Sequence, residues 1–302
     1  MASVVREARE MQRVSDGLHS AGKRIALVPT MGYLHEGHLS LIRLAREHAD
    51  VVVTSIYVNP AQFGPAEDFA RYPRDLDGDV HRATSAGADI LFAPVDEEMY
   101  PPGFQTHVQV EGLSELLEGR SRSGHFRGVV TVVAKLFHIT RPHVVVFGQK
   151  DAQQVVVVRK MVNDLNFDVE ILVGPTVREK DGLAMSSRNV YLTAEQRKEA
   201  PILYRSLCLA EDCLKGGAKD AGAVRSEMMR LITSQSSGIV DYASVSDYET
   251  LQELERIDPH RTILVSLAVR FGSTRLIDNC VVALEGRSET LLGDGAPTFS
   301  AL

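Results

Sequence analysis

Short β-branched runs alternate with helix-period segments through the first half of the chain. Residues 24–28 (RIALV) read as a strand ending at Pro29, and a helical pattern opens near His38 with Leu39, Leu41, Ile42, Leu44 and Ala45. Residues 51–58 (VVVTSIYV) give the next strand, stopped by Asn59-Pro60, and residues 75–86 give a helix leading to a short apolar strand at 90–93. Residues 129–139 read as a helix or a buried segment, and 143–147 (HVVVF) as a strand. Residues 155–163 read as a helix despite their valines, because a parallel strand at 169–173 must be reached by a crossover. Strands apolar on both faces and separated by helices predict a parallel sheet covered on both sides, a Rossmann-like, doubly wound α/β domain over residues 1–176.

The texture changes after Gly174-Pro175. Residues 193–214 predict one long amphipathic helix stopped by Gly216-Gly217, residues 221–234 a second, and residues 240–245 and 262–269 two strands. Helices followed by strands suggest a smaller α+β domain, residues 177–302, closing over the active site, with residues 177–191 as the bridge.

Bulk properties narrow the partners. The formal charge of −7 argues against a general nucleic-acid binder. No apolar run has the roughly 18 residues needed to cross a bilayer. The N-terminus lacks an apolar signal region: Val4, Val5, Ala8, Met11, Val14 and Leu18 instead mark a helical face. Cys208, Cys213 and Cys280 form no CxxC pair and read as reduced, packed thiols. A cytoplasmic protein without a membrane partner is the expectation.

Four segments carry candidate chemistry. Pro29-Thr30-Met31-Gly32-Tyr33-Leu34-His35-Glu36-Gly37-His38 follows the first strand and opens a helix, where free N–H groups and the helix dipole favour phosphate. Two histidines three apart can donate to one phosphate as charge develops. The zinc-protease pattern needs them four apart, and no cysteine lies near, so these are read as phosphate donors rather than metal ligands. Neither GxxxxGK[ST] nor a GxGxxG after the first strand is present. Phe147-Gly148-Gln149-Lys150-Asp151-Ala152-Gln153-Gln154 leaves the 143–147 strand with a lysine for phosphate and an aspartate for ribose hydroxyls. Met185-Ser186-Ser187-Arg188-Asn189 gathers phosphate donors at the domain junction. Asn59-Pro60-Ala61-Gln62-Phe63-Gly64 offers uncharged amides suited to a small hydroxylated acid. The basic loop 119–128 and the acidic Asp75, Asp77 and Asp79 are weaker candidates for anions and for magnesium.

Taken in order, PTMGYLHEGH (29–38), SIYVNPAQFG (55–64), RYPR (71–74), GHFRG (124–128), FGQKDAQQ (147–154), VREKDGLAMSSRN (177–189) and RFGSTRLIDN (270–279) resemble the pantoate–β-alanine ligases across essentially the whole chain. These belong to the HxGH nucleotidylyltransferase-like group. The resemblance implies condensation of (R)-pantoate with β-alanine through pantoyl adenylate, with ATP and Mg2+ required and pyrophosphate and AMP released. It also implies a homodimer.

On the same resemblance, His35, His38, Lys150, Ser186, Ser187 and Arg188 act on the ATP phosphates. Gly148 and Asp151 hold the ribose, Val177 and Met185 lie near adenine, and Phe147 and Gly37 complete the ATP contacts. Pro29, Thr30 and Met31 lie against ATP and line the pantoate pocket, where Gln62 and Gln154 bind pantoate. Asn59, Tyr72 and Arg122 finish the substrate and phosphate surroundings. Two positions depart from the family pattern. Gly78 interrupts an acidic pair, leaving Asp79 as the expected metal contact, and Gln149 stands where glutamate is common. Two rival readings share the motif: an adenylyltransferase acting on a phosphorylated metabolite, and a nucleotide sensor without catalysis. The uncharged Gln62 and Gln154 disfavour the first, and the retained donor set disfavours the second.

Overall fold

A computed structural model describes residues 2–65 and 67–284, so the last part of the expected second domain, 285–302, lies outside the described residues. The chain forms two compact units. The first runs to Glu115 and takes in Arg122–Gly148 and Val157–Gly174; the second holds Leu116–Ser121, Gln149–Val156 and the chain from Pro175. The main boundary falls two residues before the expected one. Two short internal segments, one of them carrying Lys150 and Asp151, group with the second unit instead of the first.

The first unit is built on a six-stranded sheet: β1 Ser3–Val5, β2 Ile25–Thr30, β3 Val51–Ile56, β4 Ile90–Phe92, β5 Val144–Gly148 and β6 Glu170–Gly174, in the order β1-β4-β3-β2-β5-β6. Every pairing is parallel. Ile25, Ala26, Leu27 and Val28 have no exposed surface, nor do Val144, Val145 and Val146, as strands covered on both faces require. The order reverses between β2 and β5, which places the ligand-binding crevice of such sheets beyond the carboxyl ends of these strands. Helices Glu36–His48, Leu76–Ala86 and His125–Thr140 belong to this unit, the last buried on almost every face.

Local departures have physical causes. β2 continues through Pro29 to Thr30 because its pairing with β5 ends at Leu27, so no ladder bond on that side asks for the missing N–H. Val4 and Val5 leave the expected N-terminal helix to form an edge strand on β4, and the helix starts at Ala8. At the ends of β5 and β6, Gly148 stands opposite Gly174. A Cβ on Gly174 would lie 2.3 Å from Leu41 Cδ2, and one on Gly148 would lie 3.6 Å from Leu41 Cδ1. The helix Glu36–His48 therefore rests its Leu41 on bare backbone.

The second unit packs Ile202–Lys215 and Ala221–Gln235 on a three-stranded antiparallel sheet, β7 Ile239–Asp247, β8 Thr262–Phe271 and β9 Thr274–Ala283. Leu203, Leu207, Met228, Ile232, Val265 and Phe271 form its core. The expected helix over 193–214 is two helices, Ala194–Glu199 and Ile202–Lys215, divided at Pro201, whose missing N–H cannot continue the ladder. The hydrophobic pattern does not predict β9: its buried Asp278 and Asn279 and half-buried Arg275 obscure the apolar alternation.

Candidate active site

His35 caps the helix Glu36–His48 in extended conformation, and its carbonyl accepts from the N–H groups of His38 at 2.8 Å and Leu39 at 3.1 Å. His38 Nδ1 accepts from the His35 backbone N–H at 3.3 Å, and the two rings lie 4.0 Å apart between centroids. An accepting Nδ1 puts the proton of neutral His38 on Nε2, so this nitrogen is the donor of the pair. Both side chains are half-buried, at the first turn of a helix that follows β2.

Beyond β3, Asn59 caps a single 3₁₀ turn, Pro60–Gln62, and Gln62 is its last residue. Asn59 is 1% exposed and its side-chain amide is bonded at both ends within the protein. Its Oδ1 accepts from the Tyr100 hydroxyl at 2.8 Å and from Ala61 N–H at 3.3 Å. Its Nδ2 donates to Gln62 Oε1 at 3.0 Å and to the Gly128 carbonyl at 3.1 Å. Asn59, expected as a substrate contact, thus has no bond left to offer and orients Gln62. Burial lifts the Tyr100 phenol well above its ordinary value, so it remains a donor. Gln62 Nε2 points at Met31 Sδ, 3.1 Å away, a weak acceptor that a substrate oxygen can replace.

Gly128 permits this approach: a Cβ there would lie 2.1 Å from the Ala61 carbonyl oxygen and 2.6 Å from the Gln62 nitrogen. Earlier in the chain, Arg122 donates Nη1 to His125 Nε2 at 3.0 Å, so His125 Nδ1 carries the hydrogen and donates to the Gln62 carbonyl at 2.8 Å. Arg122 also holds Glu67 through Nε and Nη2, at 2.9 and 2.7 Å. Burial pushes the Glu67 carboxyl up, but the hydrogen bonds and charge of Arg122 outweigh it and its pKa is lowered. Arg122, expected near phosphate, is therefore ion-paired, and Tyr72 is buried beside Phe63 at 6.1 Å between ring centroids. Sequence reasoning misses Tyr100, Glu67, His125 and Gly128 as functional residues. Only the last two lie in one of the family-like motifs.

In the second unit, Lys150 and Asp151 form a short turn after Gln149. Asn279 on β9 holds this turn: its Nδ2 donates to the carbonyls of Gln149 at 3.1 Å and Lys150 at 2.8 Å, and its Oδ1 accepts from Gln149 Nε2 at 3.0 Å. The Asn279 N–H donates to Asp278 Oδ1 at 2.8 Å, and Asp278 accepts both arms of Arg178, at 2.5 and 3.0 Å. Arg178 also stacks over Tyr204 at 4.2 Å. Arg178 pairs with Ala184, and Met185 N–H donates to the Val177 carbonyl at 3.0 Å, so the two expected adenine neighbours are adjacent in a small hairpin. Ser186 caps the turn Ser187–Tyr191 by accepting from Arg188 N–H at 3.3 Å; Ser187 is buried. Gln154 is half-buried on Ala152–Asp164.

Asp79, the expected magnesium contact, is 1% exposed. Its Oδ2 accepts from Tyr33 N–H and its Oδ1 from Leu34 N–H, both at 2.7 Å, and Arg82 lies 3.0 Å from Oδ1. A carboxylate so engaged does not fit a hard divalent cation, which takes open oxygen ligands. Among the described residues no three His, Cys, Asp or Glu side chains gather to hold a metal ion. A pocket of about 240 Å³ lies beside this carboxylate, lined by Met31, Gly32, Tyr57, Arg74 and Asp96 among others.

The family model for pantoate-beta-alanine ligase matches residues 3–281. The pantothenate synthetase of Moorella thermoacetica is 58% identical over 261 residues, covering 86% of this chain and 92% of that protein. The crystal structure of pantothenate synthetase from Thermus thermophilus superposes with a TM-score of 0.85 at 46% identity, covering 92% of this chain and 98% of that one. That of pantoate-beta-alanine ligase from Francisella tularensis, complexed with beta-gamma ATP and beta-alanine, gives 0.77 at 32% identity over 93% and 98%.

Proposed function

The chain belongs to the pantoate–β-alanine ligase family, and from that premise we propose how its residues divide the reaction. The activity is the ATP-dependent condensation of (R)-pantoate with β-alanine, a carbon–nitrogen ligation. A pantoate carboxylate oxygen attacks the α-phosphorus of ATP, giving pantoyl adenylate and pyrophosphate. The β-alanine amine then attacks the acyl carbon, and AMP leaves as pantothenate forms.

The observation that carries the residue roles is the fixed amide of Gln62, whose Oε1 is held by Asn59 and whose Nε2 faces a thioether. A donor without charge suits the carboxylate and hydroxyls of pantoate, with Pro29, Thr30 and Met31 as the pocket wall and Gln154 as the second amide. His38 Nε2 donates to phosphate oxygens as charge develops on departing pyrophosphate, and His35 and Gly37 flank it at the helix start. Lys150, Ser186, Ser187 and Arg188 neutralise the phosphate chain. Phe147, Gly148 and Asp151 attend the ribose, and Val177 and Met185 the adenine. Arg122 and Tyr72 act from behind, the one through His125 and Glu67, the other as packing beside Phe63.

Magnesium enters as part of the substrate, bound by ATP phosphate oxygens and water. The reading extends to a homodimer in the cytoplasm, as the family resemblance implies; among the described residues no helix is long and apolar enough to cross a membrane. Pantoate-dependent exchange of labelled pyrophosphate into ATP is the test. His38→Ala is expected to lower that exchange by about 10²–10³, the usual cost of one preorganised donor. Exchange independent of pantoate would refute the reaction, and a fully active variant would refute the role of His38.

A further inference from the structure

Gly32 and Tyr33 both adopt left-handed backbone, with φ of 84° and 52°. For a tyrosine this conformation is uncommon, and it persists only where its surroundings hold it. Successive N–H groups in such a turn converge into a concave anion site. Here the converging groups are Tyr33 N–H and Leu34 N–H, and the anion between them is the Asp79 carboxylate, one oxygen for each donor at 2.7 Å. Gly32 is needed for the same fit, since a Cβ there would lie 2.9 Å from Asp79 Oδ2 and from Ile56 Cγ2.

The cation side of Asp79 is also occupied. Arg82 reaches Asp79 Oδ1 at 3.0 Å and Asp75 Oδ2 at 2.7 Å. Asp75 in turn caps the helix Leu76–Ala86 by accepting from Gly78 N–H at 3.1 Å. A side chain at Gly78 would begin 2.1 Å from Asp75 Oδ2 and 2.8 Å from Arg82 Nη2. No second carboxylate fits at that position beside Asp79 without displacing both groups. The Arg82 guanidinium thus already supplies the positive charge that faces both Asp75 and Asp79.

We infer that Asp79 is a positioning residue for adenylate formation, the internal anion that clamps the Gly32–Leu34 turn immediately before His35, and is not a ligand of magnesium. This deepens the proposed function and rests on it. The clamp joins the helix Leu76–Ala86 to the turn that delivers His35 and His38, so a change at Asp79 acts on the histidines through backbone position. A shift of about 1 Å at reacting groups costs about 10²-fold in rate.

Pantoate-dependent ATP–pyrophosphate exchange measured against magnesium concentration separates the two roles. In Asp79→Asn one N–H faces an amide donor in place of an oxygen. The expected result is a fall of about 10²-fold in maximal exchange, with the magnesium concentration at half-maximal rate and the KM for pantoate unchanged. Recovery of the wild-type rate at high magnesium, or no loss at any concentration, would overturn the inference. Two measurements remain decisive if Asp79→Asn does not fold. Mn2+ alone, titrated into the wild-type chain without nucleotide and followed by its electron paramagnetic resonance signal, is expected to stay free. It is expected to stay free in Arg82→Gln too, although the competing guanidinium is gone. Stoichiometric Mn2+ binding by either protein would overturn the inference. Absence of exchange in the wild type would instead overturn the assigned reaction, so the two failures are distinct.

Discussion

The Asn59 side-chain amide donates to Gln62 Oε1 at 3.0 Å, and this bond decides which end of the Gln62 amide faces outward. Because Asn59 is itself held by Tyr100, Ala61 and Gly128, the polarity of Gln62 is set through a chain of internal hydrogen bonds.

Asn59→Asp is nearly isosteric but has no donor. The carboxylate oxygen in place of Nδ2 would then face Gln62 Oε1, acceptor against acceptor, and the Gln62 amide is expected to turn over and present its oxygen. The KM for pantoate should rise about tenfold or more, the range for a buried polar group left unpaired, while the KM for ATP holds. Steady-state kinetics with each substrate varied in turn checks this; equal rises in both constants would contradict it.

Gly128→Ala drives a methyl into the Ala61 carbonyl. Overpacking against backbone typically costs about 1–3 kcal/mol. Urea denaturation should show that loss, together with weaker pantoate binding in calorimetry. Unchanged stability would mean that the helix His125–Thr140 can retreat without cost.

Much of this geometry is legible in the sequence, and the remainder is hidden for identifiable reasons. The runs at β2, β3 and β5 announce a covered parallel sheet because burial on both faces removes polar positions. The spacing of His35 and His38 announces a shared helix turn. By contrast, an acidic residue on an amphipathic helix gives no sign that its partners are backbone N–H groups 45 and 46 residues away, as for Asp79. Asp278, in phase with the core-facing Leu276, Cys280 and Val282, conceals β9 by placing charge where alternation predicts an apolar side chain, while Arg275 on the opposite face pairs with Glu118 across 157 residues in the second unit. Asn279 lies in one of the family-like motifs, yet only the fold brings it to the Lys150 carbonyl.

Asn279→Ala leaves the carbonyls of Gln149 and Lys150 without their side-chain donor. The turn bearing Lys150 should loosen, lowering kcat/KM for ATP by about tenfold, as expected for buried groups left unsatisfied. Pantoate binding in the absence of ATP should be untouched, and calorimetry with pantoate alone tests that separation.

Glu67 gives a pH-dependent contribution to stability. Its folded pKa is depressed below the ordinary glutamate value of 4.5, with burial opposing and Arg122 outweighing it. The contribution is therefore complete above about pH 4.5 and is lost as pH falls below that value toward the folded pKa. Thermal melts followed from near neutrality down into the acid range should fall less steeply in Glu67→Gln than in the wild type; parallel curves would remove Glu67 from the acid response.

The bare floor made by Gly148 and Gly174 beneath Leu41 also bears on how the protein can be redesigned. A substituent added at Gly174 would collide with the buried Leu41 of the histidine helix, so this floor resists enlargement there. The wall formed by Met31 and Gln62 has a replaceable sulfur contact and tolerates reshaping. Libraries seeking new acyl substrates should therefore leave the strand ends untouched and spend their diversity on that wall.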